Sequence, residues 1–155
     1  MKLIQKMQAF ILTALLVSGA FFFSSCGKET IPPKSQHELM YEYLVGTGNK
    51  QWFLKALYVN GVLQPLTDAQ RRYYKTYTQV PGTAFTANFL DDDGNRGTAR
   101  LLSQLQLREN ITNGPLSGNV RDYIILELKE KLMDLEISNP PGFPSFVVRE
   151  VYYAN

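Results

Sequence analysis

The sequence predicts an all-β chain: about eight short strands forming an antiparallel up-and-down barrel, preceded by one short α-helix. Three observations carry this. Beyond Gly48 the apolar residues recur with a period of two. The runs are separated by turn chemistry at Asn60-Gly61, Pro81-Gly82, Asp91 to Asn95, residues 110–119 and residues 139–144. No later segment has the length and period of a crossover helix, which a parallel sheet would need. Eight short strands can remove their exposed edges by closing into a barrel; a two-sheet sandwich is the alternative closure.

The elements follow in order. Ser35-Gln36-His37-Glu38 fits a capping box, Leu39, Met40, Tyr43 and Leu44 follow at helical spacing, and Gly46 is a natural stop, so a helix covers about residues 36–45. His37 falls in its first turn and reads as solvated. In the first strand Trp52, Leu54, Ala56 and Tyr58 alternate with Phe53, Lys55, Leu57 and Val59, and Asn60-Gly61 turns the chain. Thr67 to Gln70 can start one helical turn. Tyr73 to Val80 is rich in Tyr and Thr and reads as a strand; Phe85, Ala87 and Phe89 mark the next. Strands at 96–103 and 104–109 precede a long loop over 110–119. Tyr123 to Leu128, Met133 to Ile137 and Phe146 to Tyr153 complete the set.

Length and composition fit one globular domain: 155 residues, 45% hydrophobic and 19% charged. Of 16 Lys+Arg against 14 Asp+Glu, Lys2 and Lys6 stand at the extreme N-terminus, and without those two the balance is 14 against 14. A neutral remainder gives no basis for a nucleic-acid partner. One cysteine excludes an intrachain disulfide framework and any multi-Cys metal site, and one histidine argues against a His-rich metal centre or a histidine-based triad.

Residues 1–25 read as a signal peptide. Lys2 and Lys6 form a basic start, Ala9 to Phe23 is apolar over about 15 residues, and that is short of the roughly 20 a spanning helix needs. Ser24-Ser25-Cys26, small residues ahead of the lone cysteine, resembles the lipobox of bacterial lipoproteins of the Bacteroidetes type, with Phe23 where Leu is commonest. That resemblance implies cleavage before Cys26, lipidation of its thiol and acylation of the new N-terminus with palmitate-class chains. Several chains anchor firmly where one would not. The alternatives are an ordinary signal peptide followed by a chance cysteine, or an uncleaved anchor. Residues 26–34 then form the lipidated cysteine and a tether stiffened by Pro32-Pro33. No Asp adjoins Cys26 to suggest inner-membrane retention. Lys28-Glu29 loosely resembles a surface-export signal, so an outer-membrane location is expected with its face, periplasmic or external, left open.

Over residues 35–155 the order of elements resembles the small lipocalin-like domains of bacterial lipoproteins: a helix ending Leu44-Val45-Gly46, then Trp52-x-Leu54, Asn60-Gly61, Tyr77-Thr78, Gly97-Thr98, Tyr123-x-Ile125 and Leu132 to Ile137. Gly48 precedes Trp52 by a longer interval than the Gly-x-Trp of lipocalins proper. The resemblance implies a barrel whose interior holds a small apolar or amphipathic molecule, and it implies no enzyme.

Candidate ligand contacts are Trp52, Tyr58, Tyr77, Phe85 and Tyr123, each weighed against plain packing or cross-strand pairing. Thirteen aromatic residues lie beyond residue 50, enough to fill an eight-stranded barrel instead of lining a cavity. The Asp91-Asp92-Asp93-Gly94-Asn95 run misplaces the glycine and the terminal glutamate of a calcium loop and reads first as a turn. No catalytic residue is expected: Glu127, Glu136 and Glu150 sit on strands and read as solvated, no phosphate-binding glycine loop is present, and no cofactor or metal is implied. Two functions remain open. One is a membrane-anchored ligand binder. The other is a filled barrel that binds protein as an accessory subunit of an envelope complex.

Overall fold

The structure is a computed structural model and describes residues 32–155. Helix α1 spans Gln36–Val45, followed by strands β1 (Asn49–Val59), β2 (Val62–Gln64), β3 (Tyr74–Gln79), β4 (Thr86–Asp91), β5 (Arg96–Ser103), β6 (Gln106–Asn113), β7 (Val120–Leu128), β8 (Leu132–Ser138) and β9 (Val147–Tyr153). All neighbours pair antiparallel in the order β2-β1-β3-β4-β5-β6-β7-β8-β9, and β1 also pairs with β9. Eight strands therefore close into a barrel, with β2 an extra strand. The unit Lys34–Asn155 holds α1, all nine strands and the whole described core.

Local chemistry explains the elements. The Ser35 hydroxyl accepts from the Glu38 amide at 3.2 Å while the Glu38 carboxylate accepts from the Ser35 amide at 2.6 Å, so the capping box is complete. Gly46, at φ 60°, ends α1 and donates its amide to the Glu42 carbonyl at 2.7 Å. Asn60 and Gly61 both have positive φ, 49° and 78°, as a two-residue hairpin turn requires, and β2 returns along β1 from there. The helical turn after β2 is present, with the Arg71 amide on the Thr67 carbonyl at 2.9 Å.

The simple alternation of β1 is interrupted. Pairing with β9 shifts between Leu54 and Ala56, so Lys55 is an inserted bulge residue. Trp52 and Leu54 face inward, but beyond the bulge Leu57 and Val59 take the inward parity and Tyr58 the outward one. A second irregularity lies between Arg96 and Gly97, where β5 and β6 approach so closely that a Cβ on Gly97 would stand 1.9 Å from the Asn110 carbonyl oxygen. Bulges of this kind bend and coil a sheet, which closing a small barrel demands.

The interior has two halves. At one end α1 buries Met40, Tyr41, Leu44 and Val45 over an apolar filling that includes Trp52, Ala87, Leu101, Leu107, Ile125 and Met133. The other half, toward the Asn60-Gly61, 92–95, 114–119 and 139–146 turns, is built from charged and hydroxyl side chains.

Candidate functional site

Register places the charges. Lys75 on β3 lies opposite Asp91 on β4, and Glu109 on β6 lies opposite Arg121 on β7, with all four on the inward parity. Glu150 on β9 shares the inward row of Leu57 and Leu135. Lys75 and Glu109 are completely buried, Asp91 is 1% exposed, and Arg121 is 8% exposed.

These side chains form one network. The Lys75 ammonium donates to the Tyr123 hydroxyl at 2.7 Å and to Glu109 Oε1 at 3.5 Å, and lies 3.4 Å from Glu150 Oε2. It also sits 4.4 Å from the centre of the Tyr123 ring and 5.5 Å from that of Tyr152. Tyr77 donates to Glu109 Oε1 at 2.6 Å, and Arg121 Nη1 bridges Glu109 Oε2 at 3.2 Å and Asp91 Oδ2 at 3.0 Å. The Asn95 backbone and side-chain amides hold the Asp91 carboxylate at 2.9–3.2 Å, and Tyr152 donates to Glu150 Oε2 at 2.7 Å. Among the described residues no buried side-chain nitrogen or oxygen lacks a partner.

The network contains three carboxylates and two cations, so its protonation is set by proximity. Burial alone would lower the Lys75 value, but the Glu109 and Glu150 carboxylates outweigh it and hold the ammonium above the ordinary lysine range. Burial would raise Glu150; the Lys75 ammonium, the Tyr152 hydroxyl and Arg121 draw it below the ordinary glutamate value instead. Burial, reinforced by the neighbouring carboxylates, pushes Tyr77, Tyr123 and Tyr152 well above the usual phenol range, which keeps all three neutral. Lys75 and Glu150 thus stay charged and paired through the neutral range. Glu150, with a side chain 20% exposed, is the carboxylate through which the network reaches solvent.

The sequence candidates fall in different places. Cys26 lies outside the described residues. Tyr77 and Tyr123 are buried members of the network. Trp52 is buried opposite Lys75 and donates its indole N–H to the Leu44 carbonyl at 3.0 Å, tying β1 to α1. Tyr58 lies on the outward parity with the Arg149 guanidinium 5.0 Å from its ring, because the Lys55 bulge reverses the alternation. Phe85 precedes β4 at φ 56°, stacked on the His37 ring at 3.9 Å and edge-on to Tyr41 at 6.0 Å.

Two expectations need correction. His37 is half-buried, with Nε2 3.2 Å from the Leu101 carbonyl, because the first turn of α1 crosses the barrel rim. Glu150 turns inward and is held by Lys75 and Tyr152, where a solvated position was expected. Lys75, Asp91, Glu109 and Arg121 carry most of the site's charge and were not among the sequence candidates. The signal available was their parity: each occupies the apolar phase of its strand, as in Lys75-x-Tyr77, Phe89-x-Asp91, Leu107-x-Glu109-x-Ile111 and Arg121-x-Tyr123-x-Ile125.

A second feature lies at the α1 end, where a cleft of about 950 Å³ runs between the helix and the barrel rim. Tyr41 and Phe85 line it together with Glu42, Lys50, Glu130 and Lys131. The Lys50 ammonium is already engaged by the Tyr43 and Glu130 carbonyls and by the Trp52 ring, 4.3 Å from its centre.

The fold and the network thus define a closed eight-stranded antiparallel barrel with a buried ionic cluster in one half. Compared with known proteins, the chain matches no family model, no curated protein and no solved structure.

Proposed function

We propose that this protein is an envelope lipoprotein, anchored through Cys26, whose barrel is a filled, non-catalytic scaffold acting through its outer surface as an accessory or interaction subunit. The observation that carries this reading is the occupation of the polar half of the barrel. Lys75, Glu109, Arg121 and Asp91, with Tyr77 and Tyr123, stand where a ligand would sit and satisfy one another. Displacing any of them would strand a buried charge, at a cost of several kcal/mol. The anchor is tested by Cys26→Ser, which should release the protein from the membrane fraction and abolish labelling by a palmitate analogue. The interaction role is tested by in-cell crosslinking and recovery of the anchored protein. A reproducible envelope protein attached to the barrel surface supports it, and repeated recovery of the protein alone sinks it.

The α1-end cleft favours a second reading, in which a small amphipathic molecule lies against Phe85 and Tyr41 with its polar end toward Lys131 or Glu130. Native mass spectrometry of the gently purified protein separates the two. An added mass that is lost on denaturation and absent from Phe85→Ala places a ligand in the cleft. A clean apo mass leaves the surface role.

A further inference from the structure

Strand β2 is the terminal strand of the sheet order and pairs only with β1. Its register is set by the two-residue turn: Val59 faces Val62, Tyr58 faces Leu63 and Leu57 faces Gln64. In such a hairpin the pair flanking the turn and the pair two residues on exchange hydrogen bonds, while the intervening pair does not. The N–H and C=O of Leu63 therefore point away from β1, leaving one donor and one acceptor on an open edge.

The side chains of this edge are largely apolar, and the charge beside it, the Arg149 guanidinium 5.0 Å from the ring of Tyr58 opposite Leu63, is paired with Asp134. Val62 is 63% exposed and Leu63 59%, although exposed edges are ordinarily protected by lysine or by burial. Beside the same turn, Val147 donates to Asn60 Oδ1 at 2.9 Å and accepts from the Asn60 amide at 2.8 Å, bringing the 139–148 segment alongside. That segment adds Phe143, 62% exposed, and Phe146, which pack edge to face. Neither residues 60–67 nor residues 139–148 contain an ionisable side chain.

We infer that this edge pairs with a second copy of the chain, β2 against β2, antiparallel about a two-fold axis through Leu63. A two-fold interface brings each residue against its own neighbourhood, so any net charge there would meet itself; residues 60–67 and 139–148 carry none, and Arg149 beside them is neutralised by Asp134. Leu63 is the central residue of a three-residue strand, and its free donor and acceptor fit those of its symmetry mate. The exposed side chains of Val62, Leu63, Phe143 and Phe146 together amount to on the order of 400 Å² per copy, spread over both faces of the hairpin edge. Doubled, and with the paired strand added, this lies near the ~1,000 Å² threshold of a specific interface, so the dimer is weak and concentration-dependent.

Register-specific crosslinking tests this on residues 27–155, which lack Cys26 and contain the whole barrel unit. Opposed residues in a hydrogen-bonded antiparallel pair have Cα atoms about 5.5 Å apart, within disulfide range. Leu63→Cys should therefore crosslink on mild oxidation with copper–phenanthroline, whereas Val62→Cys and Gln64→Cys, each offset from its own copy, should crosslink much less. Sedimentation equilibrium of the unsubstituted chain should show a dimer fraction rising between about 10 µM and about 1 mM. Leu63→Pro removes only the outward N–H and should abolish the dimer with the circular dichroism spectrum retained. If that variant fails to fold, Leu63→Lys places like charges face to face and should give the same loss. A monomer at every concentration, equal crosslinking at all three positions, or a dimer indifferent to both Leu63 variants would overturn the inference. So would a monomer that binds phosphatidylcholine vesicles through Phe143 and Phe146, which would assign the patch to a lipid surface.

Discussion

Strands β6 and β7 carry two ion pairs on adjacent rungs, one on each side of the barrel wall. Arg108 and Asp122 lie opposite each other on the outside, their side chains 46% and 59% exposed, with bonds of 2.6 and 2.9 Å. One residue further, Glu109 and Arg121 lie opposite each other on the inside at 3.2 Å, with Glu109 fully buried. The outer pair has the shorter contacts, yet the inner one matters more. Water already solvates the outer charges whether or not they meet, so little changes when they separate. The inner charges have no water to return to, and separation leaves each with an uncompensated desolvation cost. The same contrast sets the polar half of the barrel against the half under α1, where the interior is apolar side chains packed together and the Trp52 indole bond to the Leu44 carbonyl ties helix to barrel.

The largest expected effect breaks the inner network at its hub. Glu109→Leu leaves Lys75 and Arg121 short of a carboxylate and should cost about 3–5 kcal/mol in denaturant unfolding. Converting all five charges together, Lys75, Asp91, Glu109, Arg121 and Glu150, to apolar residues of similar volume should recover most of that loss, since no buried charge is then left without a partner. If the single change costs less than the combined one, the network is not acting as a coupled unit. In the apolar half Leu44→Ala removes a fully buried side chain of α1 and should cost about 2–5 kcal/mol through cavity formation, with no partner change able to restore it short of refilling the volume.

The network also fixes how stability depends on pH. Glu150 has a folded value below its unfolded one, so its contribution is complete above the ordinary glutamate range and disappears as pH falls through the depressed folded value. Lys75 has a folded value above its unfolded one, so its contribution is complete below the ordinary lysine range and is lost as pH rises through the raised folded value. A stability plateau across neutral pH with a loss at both extremes should result. Glu150→Gln should lower the plateau and flatten the acid limb, and thermal unfolding across pH checks it. An acid limb unchanged by the substitution would remove Glu150 from the account.

How much of this is legible in the sequence follows from what alternation encodes. The capping box at Ser35 and Glu38 is local chemistry, and helix α1 begins and ends where that chemistry places it. The eight barrel strands likewise follow from period-two runs and turn residues, except that β6 runs on to Asn113 and takes in residues 110–113, whose Asn and Thr read as loop although Ile111 between them is a core residue. Strand β2 was hidden because three residues are too few to show a period, and only pairing with β1 makes them a strand. Alternation alone puts Tyr58 in phase with Trp52 and Leu54; the Lys55 bulge reverses that phase, and a bulge depends on partners in another strand. The interior charges are written in the sequence, as residues of a kind that usually lie on the wet face. Lys75, Asp91, Glu109, Arg121 and Glu150 occupy the dry one. Reading them correctly requires noticing three acids and two bases in the apolar phase of five different strands, a balance visible only once the barrel is closed.

The smallest expected effect sharpens the comparison between the two rungs. Arg108→Ala removes the outer pair, and the loss should be barely resolvable in low salt and vanish at high ionic strength, since exposed charges are screened over about 10 Å at 0.1 M salt. Arg121→Met, one rung in on the partner strand, should destabilise at every salt concentration, because mobile ions cannot enter the barrel to replace it. The two salt dependences, measured side by side by urea unfolding, report burial. Equal slopes would mean that water reaches Glu109, and the polar half of the barrel would then be an open cavity instead of a filled one. A loss for Arg121→Met that salt does not change, beside a small loss for Arg108→Ala that fades as salt rises, is what a filled barrel requires.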